Sequence, residues 1–178
     1  KAAGAEAVFS NSYFADAAAQ LRQMREQNMN FKLYSSTVGP GLPNFPEQLG
    51  STAEYVLGFS QWEPLPKILK HPGMDEYIAT YEKRFNEKPN YHAGSTYGAL
   101  QATEAAVKKA GAFDNEKLRE AMATIDVQTV FGRYKVDAKG MNAAEGLTFQ
   151  ILKGQRRVVW PEKWTETNLP GRRFSGKS

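Results

Sequence analysis

Short apolar runs alternate with amphipathic segments through the first part of the chain. Ala5 to Ser10 has strand character, and from about Ala15 to Gln27 the residues Ala17, Leu21 and Met24 recur at helical spacing until Asn28 and Asn30 end the pattern. A second run, Phe31 to Ser35, leads into STVGPGLPNFP, whose glycine and proline content predicts irregular structure. A third run, Tyr55 to Ser60, stops at Gln61-Trp62 and the proline-rich EPLP. Strand, helix, strand, loop, strand is the rhythm of an α/β fold with a parallel sheet under helices.

Beyond the turn His71-Pro72-Gly73 the period changes. Met74, Ile78, Tyr81 and Phe85 predict a helix up to Asn86, and a long alanine-rich helix follows from Tyr91 to Lys109. Gly111 reads as its left-handed cap, with Lys108 and Lys109 at the negative end of the helix dipole. Asp114 reads as the N-cap of a further helix with Leu118, Met122 and Ile125 on one face. Gly132 to Val136, Leu147 to Leu152 and Val158 to Trp160 are short β runs, the last two joined by the Lys153-Gly154 turn. Trp160-Pro161 ends the last run, because proline cannot continue a strand ladder.

Composition narrows the class. With 178 residues, 41% of them hydrophobic and 24% charged, the chain can form a globular core. It contains no run of eighteen apolar residues that would suggest a membrane span. It has no cysteine, so disulfides, thiolate metal sites and cysteine nucleophiles are excluded. The net charge of +4 does not indicate nucleic acid: Arg172, Arg173 and Lys177 of the tail GRRFSGKS supply three of the four charges. No basic stripe interleaved with aromatics occurs elsewhere.

The chemistry-bearing motifs are sparse. The glycine patterns that cradle phosphates and the G-x-S-x-G elbow are absent, so no cofactor is expected. The two histidines, His71 and His92, lack the spacing that aims a pair at one metal, so no metal is expected either. Carboxylates such as Asp75-Glu76 read as solvated faces, and enzymatic turnover is not expected. Polar and aromatic residues stand at the ends of the strand-like runs instead: Ser10-Asn11-Ser12-Tyr13-Phe14, Ser35-Ser36-Thr37 and Ser60-Gln61-Trp62. In open α/β sheets ligands bind outside the carboxyl ends of the strands, where loops vary freely and helix N-termini offer N–H groups. Hydroxyls and amides that orient, with flat rings that cover, suit a small-molecule pocket. The same residues also cap helices and cover sheet edges, so both readings stand at this point.

The segments AEAVFSNSYFADAAAQLRQMREQ, YEKRFNEKPNYHAGSTYGALQATEAAVKKAG, DNEKLREAM and GRYKVDAKGMN...FQILKGQRRVVWP together resemble the carboxyl-terminal half of a periplasmic substrate-binding protein. The resemblance is to the type I, branched-chain amino acid (Leu/Ile/Val) binding family that serves ABC transporters. It implies an α/β Venus flytrap fold, with parallel sheets and flanking helices in two lobes that close over a ligand. It further implies residues 1–88 in the second lobe, 89–131 as helices returning to the first lobe, 132–164 as hinge and closing β segments, and 165–178 as a basic tail. The expected partners are a small-molecule ligand, an ABC transporter permease and the amino-terminal portion of the same protein, possible as a separate chain. The expected location is the periplasm, exported or lipid-anchored outside the membrane.

Carried over by position, the resemblance places Tyr13 in the cleft, flanked by Asn11, Ser12 and Phe14. Amino-acid binders of this family hold the ligand's ammonium with an acid in the loop after the next strand. That loop here reads YSSTVGPG, with Ser36 and Thr37 and no carboxylate before Glu47. A desolvated ammonium without a paired anion is costly. The expected ligand is therefore a small carboxylate, aromatic or apolar, with Trp62, Tyr91 and His92 adding flat surface. Binding of a branched-chain or other hydrophobic amino acid, or a ligand-sensing regulator of the same fold, are the alternatives. For a hydrolase, Ser12 or Ser36 with His92 is the one conceivable pair.

Overall fold

The computed structural model describes residues 4–142 and 145–165, so all but the first residue of the basic tail at 165–178 lies outside the described residues. Packing divides the chain into two compact units. One combines the residues up to Ser60 with those from Gly146 onward, and the other spans Gln61–Glu145. The breaks fall at Ser60 and Glu145, where the resemblance implied 88 and 131, because the last two strands pair with the first three in one sheet.

That sheet forms the frame of the first unit. Strands β1 (Ala7–Ser10), β2 (Leu33–Ser36) and β3 (Leu57–Ser60) are parallel neighbours in chain order. β6 (Leu147–Leu152) then lies antiparallel to β3, and β7 (Gln155–Trp160) antiparallel to β6, giving the order β1-β2-β3-β6-β7. The hairpin between β6 and β7 turns on Lys153 and Gly154, both at positive φ, as a two-residue turn between right-twisted strands requires. Helix α1 (Phe14–Glu26) follows β1, and Asn28 beyond its end takes the left-handed conformation.

One face of the sheet is the core of this unit. Register puts Ser10, Ser36, Gly58, Phe149 and Val158 in one row, and Phe149, Ile151, Leu147 and Val158 are fully buried there. Ala17, Ala18 and Leu21 of α1 pack into the same core, and Tyr34 of β2 donates from its hydroxyl to Gln20 Oε1 at 2.9 Å. The glycine- and proline-rich stretch is more regular than its composition predicts: Gly39–Gly41 is a 3-10 turn and α2 spans Asn44–Leu49. Pro46 fits because it sits in the first turn, where a missing N–H leaves no bond unmade. Phe45 of α2 is wholly buried, edge-on to Phe14 at 5.5 Å between ring centroids.

The second unit holds α3 (Pro66–Leu69), α4 (Met74–Phe85), α5 (Tyr91–Ala110), α6 (Asn115–Met122) and a hairpin of β4 (Val127–Thr129) with β5 (Gly132–Tyr134). The caps predicted at Gly111 and Asp114 are in place, and the structure adds one at Asn90. Asn90 caps α5 by accepting from His92 N–H and Ala93 N–H, and Gly111 ends it at φ 64°. Asp114 Oδ1 accepts from Lys117 N–H at 3.0 Å, which makes it the N-cap of α6. Ala102 and Ala106 of α5 meet Ala121 and Ile125 in a small core. Asp114→Ala is expected to lower stability by about 1 kcal/mol, read as a shift in the urea midpoint with unchanged slope.

Candidate functional site

Six of the nine sequence-predicted site residues come together at the carboxyl ends of β1 and β2. Ser10 and Ser36 are the last residues of the two strands and pair across the ladder. The loop between β1 and α1 brings Ser12 over them. Ser10 Oγ donates to Ser12 Oγ at 2.9 Å, and Ser12 Oγ shares a hydrogen bond with Ser36 Oγ at 3.0 Å. Thr37 N–H donates to the Ser10 carbonyl at 3.2 Å, and Thr37 Oγ1 and Val38 N–H both donate to the Ser12 carbonyl. These bonds tie the loops after both strands into one rim. They explain why the apolar run stops at Ser-Asn-Ser: short hydroxyls bridge strand ends that larger side chains would push apart.

Above this network the rim opens to solvent. Asn11 is exposed, and Tyr13 retains 73% of its surface as the N-cap of α1, with extended backbone and no side-chain bond to the helix. The first-turn N–H groups of α1 therefore have no side-chain cap, while Asp16 supplies negative charge in that turn. From Ser10 to Phe14 and from Ser36 to Leu42 no side chain is charged. Burial raises the Tyr34 phenol above its ordinary range, against smaller lowering by Ser10 and Ser36, so the ring stays a neutral O–H donor beside the serines. An exposed amide and ring, above buried neutral hydroxyls, can orient a polar group and cover a flat one. Ser12→Ala leaves Ser10 and Ser36 without their shared partner, and the expected loss of about 1–2 kcal/mol is measurable by urea denaturation.

The remaining three residues lie in the second unit. Tyr91 and His92 open α5, their rings 4.0 Å apart, with His92 exposed. Trp62 has no exposed surface, and its Nε1–H donates to the Val130 carbonyl at 2.9 Å. Its ring lies so near Gly94 that a Cβ there would stand 3.0 Å away. Sequence reasoning placed Trp62 on a ligand because it follows a strand end, but the structure spends that ring on the core.

Sequence reasoning also missed a feature of the second unit. His92 borders a groove of about 660 Å³ between α4 and α5, lined by Tyr77, Tyr81, Phe85, Tyr97 and Leu100 among others. Tyr77 packs against Tyr97 at 4.6 Å and Tyr81 against Phe85 at 4.6 Å. Burial first, then Tyr81 and Tyr97, pushes the Tyr77 phenol up to about 12. The four-residue spacing of Tyr77, Tyr81 and Phe85 carried the signal, which reads as an ordinary apolar stripe until Tyr97 is brought opposite. Among the described residues no cluster of three or more His, Asp or Glu could hold a metal, and no helix is long and apolar enough to cross a membrane.

The family model described as periplasmic binding protein matches residues 1–156. The Leu/Ile/Val-binding protein homolog 7 of Brucella suis is 26% identical over 175 residues, covering 91% of this chain and 43% of that protein. Among solved structures, the leucine-binding protein of Thermotoga maritima superposes with a TM-score of 0.76 at 21% identity, over 86% of this chain and 43% of that one. An ABC transporter solute-binding protein of R. palustris, solved in complex with benzoate, superposes with a TM-score of 0.68 at 15% identity, over 86% of this chain and 42% of that one. These likenesses establish the fold, and the chain spans less than half the length of each of these relatives.

Proposed function

The chain belongs to the periplasmic binding protein family, and from that premise we propose that it is the carboxyl-terminal half of an extracytoplasmic solute-binding protein serving an ABC transporter. In this reading two lobes close over a small molecule, and a permease in the membrane reads the closed form. The ligand is a small carboxylate with an aromatic or apolar body. The single observation that carries the choice is the charge-free rim at the ends of β1 and β2: Ser12 and Ser36, buried and bonded to each other, form its floor, Tyr13 offers an exposed ring, and the loop after β2 offers no anion for an ammonium. The R. palustris neighbour bound to benzoate supports this class of ligand.

A hydrophobic amino acid is the second reading, supported by the leucine-binding neighbour and by Asp16, the acid nearest Tyr13 in sequence. Calorimetric titration of the complete protein with benzoate and with leucine separates the two. Benzoate is expected to bind more tightly, and Tyr13→Ala to weaken it about tenfold with the melting temperature unchanged, since the ring is exposed. Tight leucine binding that Asp16→Asn abolishes, with no benzoate binding, would replace the carboxylate reading by the amino-acid one.

A further inference from the structure

The loop after β2 and the first turn of α1 meet at Gly39. A Cβ there would stand 3.0 Å from Ala17 Cβ, 3.2 Å from Phe14 Cα and 3.3 Å from Phe45 Cε2. Gly39 is buried, and its backbone is not among those in the left-handed region, so its φ is one that a side chain tolerates. What the glycine supplies at this contact is space.

A larger residue at position 39 would find little give on the loop side. Pro40 is packed on Gly58, Arg156 Nη1 donates to the Gly41 carbonyl, and Phe45 is wholly buried with its ring edge-on to Phe14. Close-packed surfaces of this kind pass a displacement on instead of absorbing it. The first turn of α1 has solvent on its outer side, where Tyr13, Ala15 and Asp16 are exposed, so that turn is the part that moves. Ala17 N–H donates to the Tyr13 carbonyl at 3.0 Å, which links the contact at Gly39 directly to Tyr13. On its other side Tyr13 follows Ser12, whose carbonyl accepts from Thr37 Oγ1 and Val38 N–H and so stays with the loop.

We propose that Gly39 is a positioning residue of the rim: by carrying no side chain it lets α1 settle against the loop after β2, and so fixes how Tyr13 is presented to a ligand. Residue 12 is held by the loop and residue 14 by the helix, and Tyr13 is strung between them. A methyl group at position 39 lifts the helix side alone and turns the ring away from its orientation. The inference rests on the solute-binding reading of the rim and deepens it, since Gly39 touches no ligand and governs affinity through Tyr13. Holding the ring in place before binding lowers the ordering cost that the ligand would otherwise meet.

Calorimetric titration of the complete protein with benzoate and with leucine, combined with amide hydrogen exchange, tests the proposal. A merely structural glycine would lower stability and leave the affinity of the folded protein alone. Gly39→Ala is instead expected to weaken the probe that binds by about fivefold. The variant carrying both Gly39→Ala and Tyr13→Ala is expected to bind no more weakly than Tyr13→Ala, because both changes act through one ring. Exchange at the residue 17 amide is compared with that at the Ile151 amide, which donates to the Val56 carbonyl in the core, and the ratio is expected to rise about tenfold in Gly39→Ala. Should Gly39→Ala not fold, Ala17→Ser presses on the same contact from the helix side and takes its place in both measurements. Unchanged affinity, an effect that adds in full to that of Tyr13→Ala, or an unchanged exchange ratio would each overturn the proposal. A raised exchange ratio in a protein whose wild type binds neither probe upholds the placement of Tyr13 and removes the solute reading, whereas binding with an unchanged ratio removes the role of Gly39 alone.

Discussion

Trp62→Ala is expected to cost about 4 kcal/mol and to unfold much of the second unit, not merely to weaken a ligand. The indole is fully buried, touches Tyr77 edge-on at 6.2 Å between ring centroids, and is held by a hydrogen bond to the Val130 carbonyl. Removing it opens a cavity the size of the largest side chain and strands a carbonyl away from water. Trp62→Phe restores most of the volume but not the bond, so its expected cost is smaller, about 1–2 kcal/mol. Urea denaturation followed by far-ultraviolet circular dichroism measures both. A Trp62→Ala protein of unchanged stability that had lost only ligand affinity would return the ring to the cleft.

Gly58→Ala is the second large effect, and it arises from space alone. The added Cβ would stand 2.3 Å from Phe149 Cζ, 2.7 Å from Phe149 Cε2 and 2.8 Å from Pro40 Cβ. Phe149 cannot yield, because it is wholly buried under the covered face and the Arg156 guanidinium lies 5.7 Å from its ring centroid. Overpacking at such a site costs roughly 3 kcal/mol, a large part of a domain's stability. Expression as insoluble protein or a large loss in the urea midpoint is the expected result. Gly146→Ala is the control, since its nearest contact would be the Ser60 carbonyl at 3.7 Å, an ordinary separation. If both variants behave alike, the close packing of β3 against β6 is wrong.

The elements that were legible in the sequence are those with strong local signals. Asp114, Gly111, Asn86 and the Lys153-Gly154 turn mark chain reversals and caps through their own backbone chemistry, and each stands where its residue type predicts. The three parallel strands were legible as apolar runs, with ends shifted by a residue or two. α2 was not, because Pro46 weighs against a helix unless its place in the first turn is known. β4 was not, because three residues carry too little periodicity, and its pairing with β5 closes it from a distance. The membership of β6 and β7 in the first sheet depends on contacts with β3 from far along the chain, which no local pattern carries.

The rim was legible for a similar reason. Hydroxyls, an amide and rings clustered where a strand should end are an anomaly visible in the chain itself, and Ser12 with Ser36 proved to be bonded across it. Trp62 was misread because a tryptophan after a strand end looks the same whether it faces a ligand or a core. Only its burial and its bond to Val130 distinguish the two.

Native mass spectrometry of the complete protein under mild desalting tests small-carboxylate binding most directly. The expected spectrum shows the polypeptide carrying one small organic acid, retained by the wild type, lost from Tyr13→Ala, and exchangeable for benzoate. A bare polypeptide that gains no mass with benzoate, leucine or isoleucine would contradict solute binding at the ends of β1 and β2.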